Sequence, residues 1–142
     1  MPTLSCRPLH GLLLGATPRA VAAGWGPTQT PELREYLAEA QDLARPATRG
    51  EIIAVITRLM VHYPVVQMDE RLSELRLEDW CDDLALVPRD CLEHAAAAWR
   101  KSSARFAPTP GQLLEKLPPW YELRRVMLDR ATRVMEIVDS VT

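Results

Sequence analysis

The spacing of apolar residues after Thr30 is the feature that most constrains this chain, because they recur every three or four positions in stretches separated by prolines. That period matches the turn of an α-helix and differs from the alternation of a half-buried strand. We therefore predict an all-α fold, a small helical bundle of about five helices with a long C-terminal helix. The bundle domain is expected over residues 31–119 and the long helix over residues 120–142.

Capping residues and prolines bound the predicted bundle helices. The first is expected over residues 31–45, and the second, which follows Thr48, is apolar on more than one face, as a buried central helix would be. Asp69 can cap a third helix, and a fourth over residues 88–102 contains four consecutive alanines that allow close helix approach. The predicted inner face of the third helix consists of apolar residues: Leu72, Leu75, Trp80 and Leu84.

The most distinctive segment follows the fourth helix and reads Phe106-Ala107-Pro108-Thr109-Pro110-Gly111-Gln112-Leu113. Thr109 can cap a helix whose first residue is Pro110, and Gln112 completes a capping box. These residues predict a turn and a short helix that ends before Pro118. The remaining residues would form a final helix about 33 Å long, which exceeds what a bundle of this size needs.

Residues 1–30 contain four of the 12 prolines and four of the 6 glycines, together with two arginines and no acid. A long helix would be interrupted too often there, so we predict a flexible arm. Breaks at Gly11 and Gly15 also argue against a secretory signal, although Arg7 precedes a run of leucines. No stretch approaches the roughly 20 apolar residues of a membrane span, and three widely spread cysteines favour a reducing cytoplasm.

Known catalytic motifs are missing from the sequence. It contains no glycine-rich phosphate loop, no His-Glu-x-x-His and no Gly-x-Ser-x-Gly, so we expect neither enzymatic activity nor a cofactor. We also expect no metal site, because the nearest set of ligands matches no structural zinc spacing. That set consists of Cys81, Asp82, Cys91 and His94.

Charge is divided unevenly along the chain. Residues 69–93 contain nine acids against three bases, and residues 100–133 contain eight bases against three acids. The acids predict a solvated face or, alternatively, a nucleic-acid mimic that inhibits a host machine; its central members are Glu78, Asp79, Asp82 and Asp83. The bases predict a nucleic-acid contact, as in a small DNA-binding protein, at Arg100, Lys101 and Arg105.

Two aromatic residues, Trp99 and Phe106, flank these bases. Aromatic rings beside arginines suit single-stranded nucleic acid. Both positions are nevertheless more typical of packed residues, because Trp99 lies on the apolar stripe of its helix and Phe106 precedes a tight turn. Packing is therefore the favoured interpretation for both rings.

The last predicted helix has apolar residues at nearly heptad spacing, which predicts a seam that another helix covers. That helix could belong to a protein partner or to a second copy, or the last helix could fold back over the bundle. If a partner binds, six residues are expected to contact it: Trp120, Leu123, Arg124, Met127, Arg130 and Val134.

Residues 49–117 contain a series of motifs in a fixed order: His62-Tyr63-Pro64, Trp80, Asp83-Leu84, Ala98-Trp99-Arg100 and the segment from Phe106 to Leu113. This order resembles small helical replication proteins of phages and prophages. It looks like the N-terminal helical part of phage helicase loader and inhibitor proteins and, more loosely, like lambda-type replication protein P. The resemblance implies a non-enzymatic adaptor that binds a replicative helicase, with the region after the helical domain, here from Trp120 onward, as the binding element.

Overall fold

The computed structural model describes residues 30–64 and 67–141, which form six helices and no strand. This confirms the predicted all-α fold with a long C-terminal helix. The predicted arm lies outside the described residues except for Thr30. The helices are α1 (Thr30–Leu43), α2 (Arg49–Met60), α3 (Glu70–Asp83), α4 (Arg89–Lys101), α5 (Pro110–Leu114) and α6 (Pro119–Val141).

The helices belong to two compact units rather than to one bundle followed by a separate helix. Arg45–Pro118 forms one unit with α2 to α5, and α1 joins α6 in the other. The prediction that the first helix belongs to a bundle over residues 31–119 is therefore wrong. The physical reason is that the apolar stripe of α1 matches the seam of α6, and each helix buries the other.

In the α1–α6 unit the two helices run in opposite directions. Arg34, near the start of α1, pairs with Asp139, near the end of α6, at 3.1 Å. Both side chains of this pair are exposed, so apolar burial contributes most of the stability. The buried residues between the helices are Leu33, Tyr36, Ala40, Met127, Ala131, Val134 and Met135.

In the Arg45–Pro118 unit α2 packs against both α3 and α4, and α5 packs against α3 and α4. The N–H of Ala47 donates to the carbonyl of Val87 at 2.9 Å, which joins the segments that precede α2 and α4. Arg89 at the start of α4 contacts Glu51 in the first turn of α2 at 3.1 Å. The starts of α2 and α4 are thus neighbours. The largest buried side chains of the unit are Ile52, Ile56, Leu59, Trp80, Leu84, Leu92 and Leu113.

The predicted helix caps are present at α3 and α5. Asp69 accepts from the N–H of Leu72 at 2.8 Å. Thr109 and Gln112 form the expected capping box, in which each side chain accepts a hydrogen bond from the other residue's backbone N–H. A third cap that the sequence did not single out is the capping box of Thr48 and Glu51 at the start of α2.

The predicted inner face of α3 is only half correct. Trp80 and Leu84 are buried as expected, whereas Leu72 is 53% exposed and Leu75 is 37% exposed. The first half of α3 therefore leaves apolar side chains at the surface. None of the helices in the described part of the chain combines the length and apolar character that a membrane crossing requires.

Candidate functional site

The segment after α4 is held by hydrogen bonds that fold it back on the helix. The indole N–H of Trp99 donates to the carbonyl of Phe106 at 3.0 Å. The hydroxyl of Ser102 donates to the carbonyl of Trp99 at 2.6 Å and accepts from the N–H of Ala104 at 3.3 Å. Arg105 and Phe106 therefore lie beside the C-terminal end of α4.

Phe106 is the only phenylalanine in the chain, and its side chain is 75% exposed. The expectation that this ring packs in the core is wrong. The indole of Trp99 donates to the backbone carbonyl of Phe106 and does not bind its ring. The next buried residue along the chain is Pro108. The turn is thus held by its backbone while the aromatic ring faces solvent.

The three predicted nucleic-acid residues, Arg100, Lys101 and Arg105, are all exposed. A fourth cation lies near Arg100, because Arg58 of α2 and Arg100 of α4 line the same groove. Small side chains of both helices, Ala54, Ala96 and Ala97, also line this groove. In the part of the chain that the structure describes, none of these four cations forms an ion pair. We call this surface, Arg58, Arg100, Lys101, Arg105 and Phe106, the basic–aromatic end.

Arg58 was not predicted to belong to this surface, because it is 42 positions from Arg100 in the sequence and the two residues come together only through helix packing. Arg89 lines the same groove but is engaged, since its guanidinium lies 2.8 Å from Glu93 and 3.1 Å from Glu51. Hydrogen bonds to Glu93 and then to Glu51 raise the pKa of Arg89 above its ordinary value. Arg89 is therefore paired with two carboxylates and is not available to an anion.

A second exposed surface lies between α2 and α3. We define the apolar groove by the residues that line it and retain solvent contact, namely Thr57, Met60, Val61, Met68, Ser73, Arg76 and Leu77. Val61 is 71% exposed, and Leu72 adds an exposed apolar side chain from the same turn of α3 as the groove residue Ser73. This groove was not predicted from the sequence, because the start of α3 was expected to be buried.

The six residues predicted to bind a partner on the last helix do not form one exposed surface. Arg124, Met127 and Val134 are buried, and Trp120, Leu123 and Arg130 are partly buried. The seam is covered by α1, and a guanidinium nitrogen of Arg124 lies 3.4 Å from the carbonyl of Leu43 at the end of α1. Any self-association through α6 must therefore use its other face.

The predicted acidic face and the candidate metal ligands differ in their exposure. Glu78, Asp79, Asp82 and Asp83 are all exposed. Cys81 and Cys91 are buried, whereas Asp82 and His94 are at the surface. Within the described ranges, no three His, Cys, Asp or Glu side chains converge on a point where a metal ion could bind.

Comparison with known proteins finds no protein family, no characterised protein and no solved structure that matches this chain. The two exposed surfaces of the Arg45–Pro118 unit, together with the resemblance of residues 49–117, remain as the basis for a functional proposal.

Proposed function

We propose that this protein is a non-enzymatic adaptor of phage or prophage DNA replication, and that its protein partner is a replicative helicase in the cytoplasm. The supporting observation is that the residues that carry the resemblance, about 49–117, coincide with one compact unit, Arg45–Pro118. A resemblance that ended inside a helix or crossed both units would not describe a separable binding module.

The partner surface in this proposal is the apolar groove. The seam of α6 is already covered by α1, so it has no free apolar stripe to offer. In the groove, exposed Val61 and Met68 line a shallow channel between two helices, and exposed Leu72 precedes the lining residue Ser73. Such a channel suits an amphipathic helix of the partner, which would insert apolar side chains spaced one turn apart. Arg76 could pair with an acidic residue at the edge of that helix.

Size-exclusion chromatography with light scattering tests the proposal on the full chain and a bacterial replicative helicase. The unsubstituted protein should co-elute with the helicase. Val61→Glu and Met68→Glu should each abolish co-elution without unfolding the protein, because both side chains are exposed. Leu86→Glu is the matched control, since Leu86 is 72% exposed in the same unit but does not line the groove.

The outcomes separate the partner from its site. If the unsubstituted protein forms no complex with the helicase, the adaptor proposal is wrong. If both groove variants still co-elute, the adaptor proposal stands but the groove is not its site. The same column gives the mass of the protein alone and so tests the possible homodimer through α6.

A second candidate function is inhibition of another host machine through an acidic surface that mimics nucleic acid. It is favoured by the exposure of all four central acids, Glu78, Asp79, Asp82 and Asp83. Changing Glu78 and Asp82 to Lys should abolish such inhibition and leave helicase binding through the groove intact. An unbiased pull-down with the unsubstituted and charge-reversed proteins distinguishes the two functions.

A further inference from the structure

We infer that the basic–aromatic end of the Arg45–Pro118 unit binds single-stranded nucleic acid, with Phe106 stacking on a base and Arg58, Arg100, Lys101 and Arg105 contacting phosphates. This inference goes beyond the adaptor function and does not depend on it. It uses a different surface from the apolar groove.

The Phe106 ring is presented to solvent. An aromatic side chain that is three-quarters exposed forgoes the stabilisation that burial would give. The backbone is held before Phe106 by the Ala104–Ser102 hydrogen bond, at Phe106 by the Trp99 hydrogen bond, and after it by the Thr109 capping box. The ring is therefore displayed on a constrained turn, and little conformational entropy is lost when a base stacks on it.

Four cations lie at the same end of this unit as Phe106. Ala47 bonds to Val87 and Glu51 pairs with Arg89, so α2 and α4 begin side by side. Arg58 and Arg100, near the ends of the same helices, also share a groove, which means that the two helices run in the same direction. Lys101 and Arg105 follow Arg100 at this end. Guanidinium and ammonium groups without carboxylate partners are suited to phosphate oxygens.

The acids at the end of α3 lie away from these cations. The N–H of Val87 donates to the carbonyl of Leu84, just after α3, at 3.1 Å, and the carbonyl of Val87 accepts from the N–H of Ala47, just before α2, at 2.9 Å, so the end of α3 lies beside the start of α2. The last acids of α3, Asp82 and Asp83, therefore lie toward the start of α2, away from the basic–aromatic end. The four charged residues of the basic–aromatic end are all cations, although the whole chain has a net charge of -2.

An exposed ring favours a single strand over a duplex. Bases in a duplex are already stacked on their neighbours, so they have no free face on which the Phe106 ring could stack. In a single strand, each base can present a free face to the ring. The surface contains no pattern of amide side chains that would read base edges, so we expect little sequence preference.

Fluorescence anisotropy on the full chain tests the inference with a labelled oligo-dT of about 20 nucleotides at about 50 mM salt. Four phosphate contacts predict that the logarithm of the binding constant falls with the logarithm of salt with a slope of about -3. Phe106→Ala should weaken binding about tenfold and leave the slope unchanged. Changing Arg100 and Lys101 together to Ala should make the slope shallower by about 1.4.

Matched controls separate these effects from general ones. Leu86→Ala removes an equally exposed apolar side chain elsewhere in the unit, and Arg49→Ala removes an exposed arginine at the opposite end of α2. Both should bind like the unsubstituted protein. Oligo-rU in place of oligo-dT identifies whether RNA or DNA is the preferred strand, and Phe106 dependence with either supports the inference.

Three results would overturn it: no binding at low salt, equal binding by Phe106→Ala, or a duplex bound as tightly as the single strand. Circular dichroism verifies that each variant keeps its helix content. Met68→Glu should retain oligonucleotide binding, so a failure of the adaptor proposal and a failure of this inference remain distinguishable.

Discussion

Trp99 and Phe106 are joined by a hydrogen bond from the indole N–H to the backbone carbonyl, with a nitrogen-to-oxygen distance of 3.0 Å. The bond uses the polar atom of one aromatic residue and the backbone of the other, so the Phe106 ring takes no part in it. As a result the last turn of α4 anchors the segment after it and leaves the ring exposed. The most distinctive motif of the sequence is thus a rigid turn that displays an aromatic side chain.

Replacing Trp99 with Phe tests this anchor. The variant keeps an aromatic ring but removes the N–H donor, so we expect the free energy of unfolding to fall by about 1 kcal/mol. Urea denaturation followed by circular dichroism measures the change. An unchanged unfolding midpoint would mean that the hydrogen bond does not hold the turn.

Replacing Thr109 with Ala tests the other side of the same turn. The hydroxyl oxygen of Thr109 accepts from the N–H of Gln112 at 3.2 Å, and its loss should cost about 1 kcal/mol of stability. Thr109→Ser retains the hydroxyl and should recover most of the loss. Equal destabilisation by Ala and Ser would show that the methyl group of Thr109, and not the cap, is what matters.

Replacing Leu33 with Ala tests the packing of α1 against α6. Leu33 is fully buried in this interface, and truncation of such a side chain leaves a cavity, so we expect the α1–α6 unit to lose about 3 kcal/mol of stability. Thermal unfolding of the variant, compared with the exposed control Leu86→Ala, measures the loss. If the seam of α6 served a partner instead of α1, Leu33→Ala would resemble the control.

The pH dependence of stability should contain a contribution from Glu51. A hydrogen bond from the backbone N–H of Thr48, aided by the Thr48 side chain and Arg89, lowers the pKa of Glu51 from its ordinary value of 4.5, against a smaller opposing effect of desolvation. Because the folded-state pKa is the lower one, the stabilisation is complete above the unfolded value and is lost as the pH falls through the folded value.

Glu51→Gln keeps an acceptor for the capping box but removes the charge. Urea midpoints measured from about pH 6 to about pH 3 should show the unsubstituted protein more stable than the variant at the upper end, with the difference shrinking below pH 4.5. A difference that stays constant over this range would contradict the ionic contribution of Glu51.

The sequence was a good guide wherever structure depends on neighbouring residues. Asp69 caps α3 and Thr109 forms a capping box with Gln112, because a cap needs only a suitable side chain three positions before the N–H that it binds. The apolar period likewise predicted helices throughout residues 31–141. The same period was misleading for Leu72 and Leu75, because it identifies a stripe without showing whether another element covers it.

What the sequence by itself determined is therefore the all-α character, the helix caps and the exposure of Arg100, Lys101 and Arg105. Only the tertiary structure decided that α1 covers the seam of α6, that Arg58 shares a groove with Arg100, and that the ring of Phe106 faces solvent. Helix caps and the helical spacing of apolar residues depend on contacts within about one helical turn. The sequence specifies such local contacts directly. Helix pairing depends on which of several apolar stripes fit together, and that choice is made by packing between residues far apart in the chain.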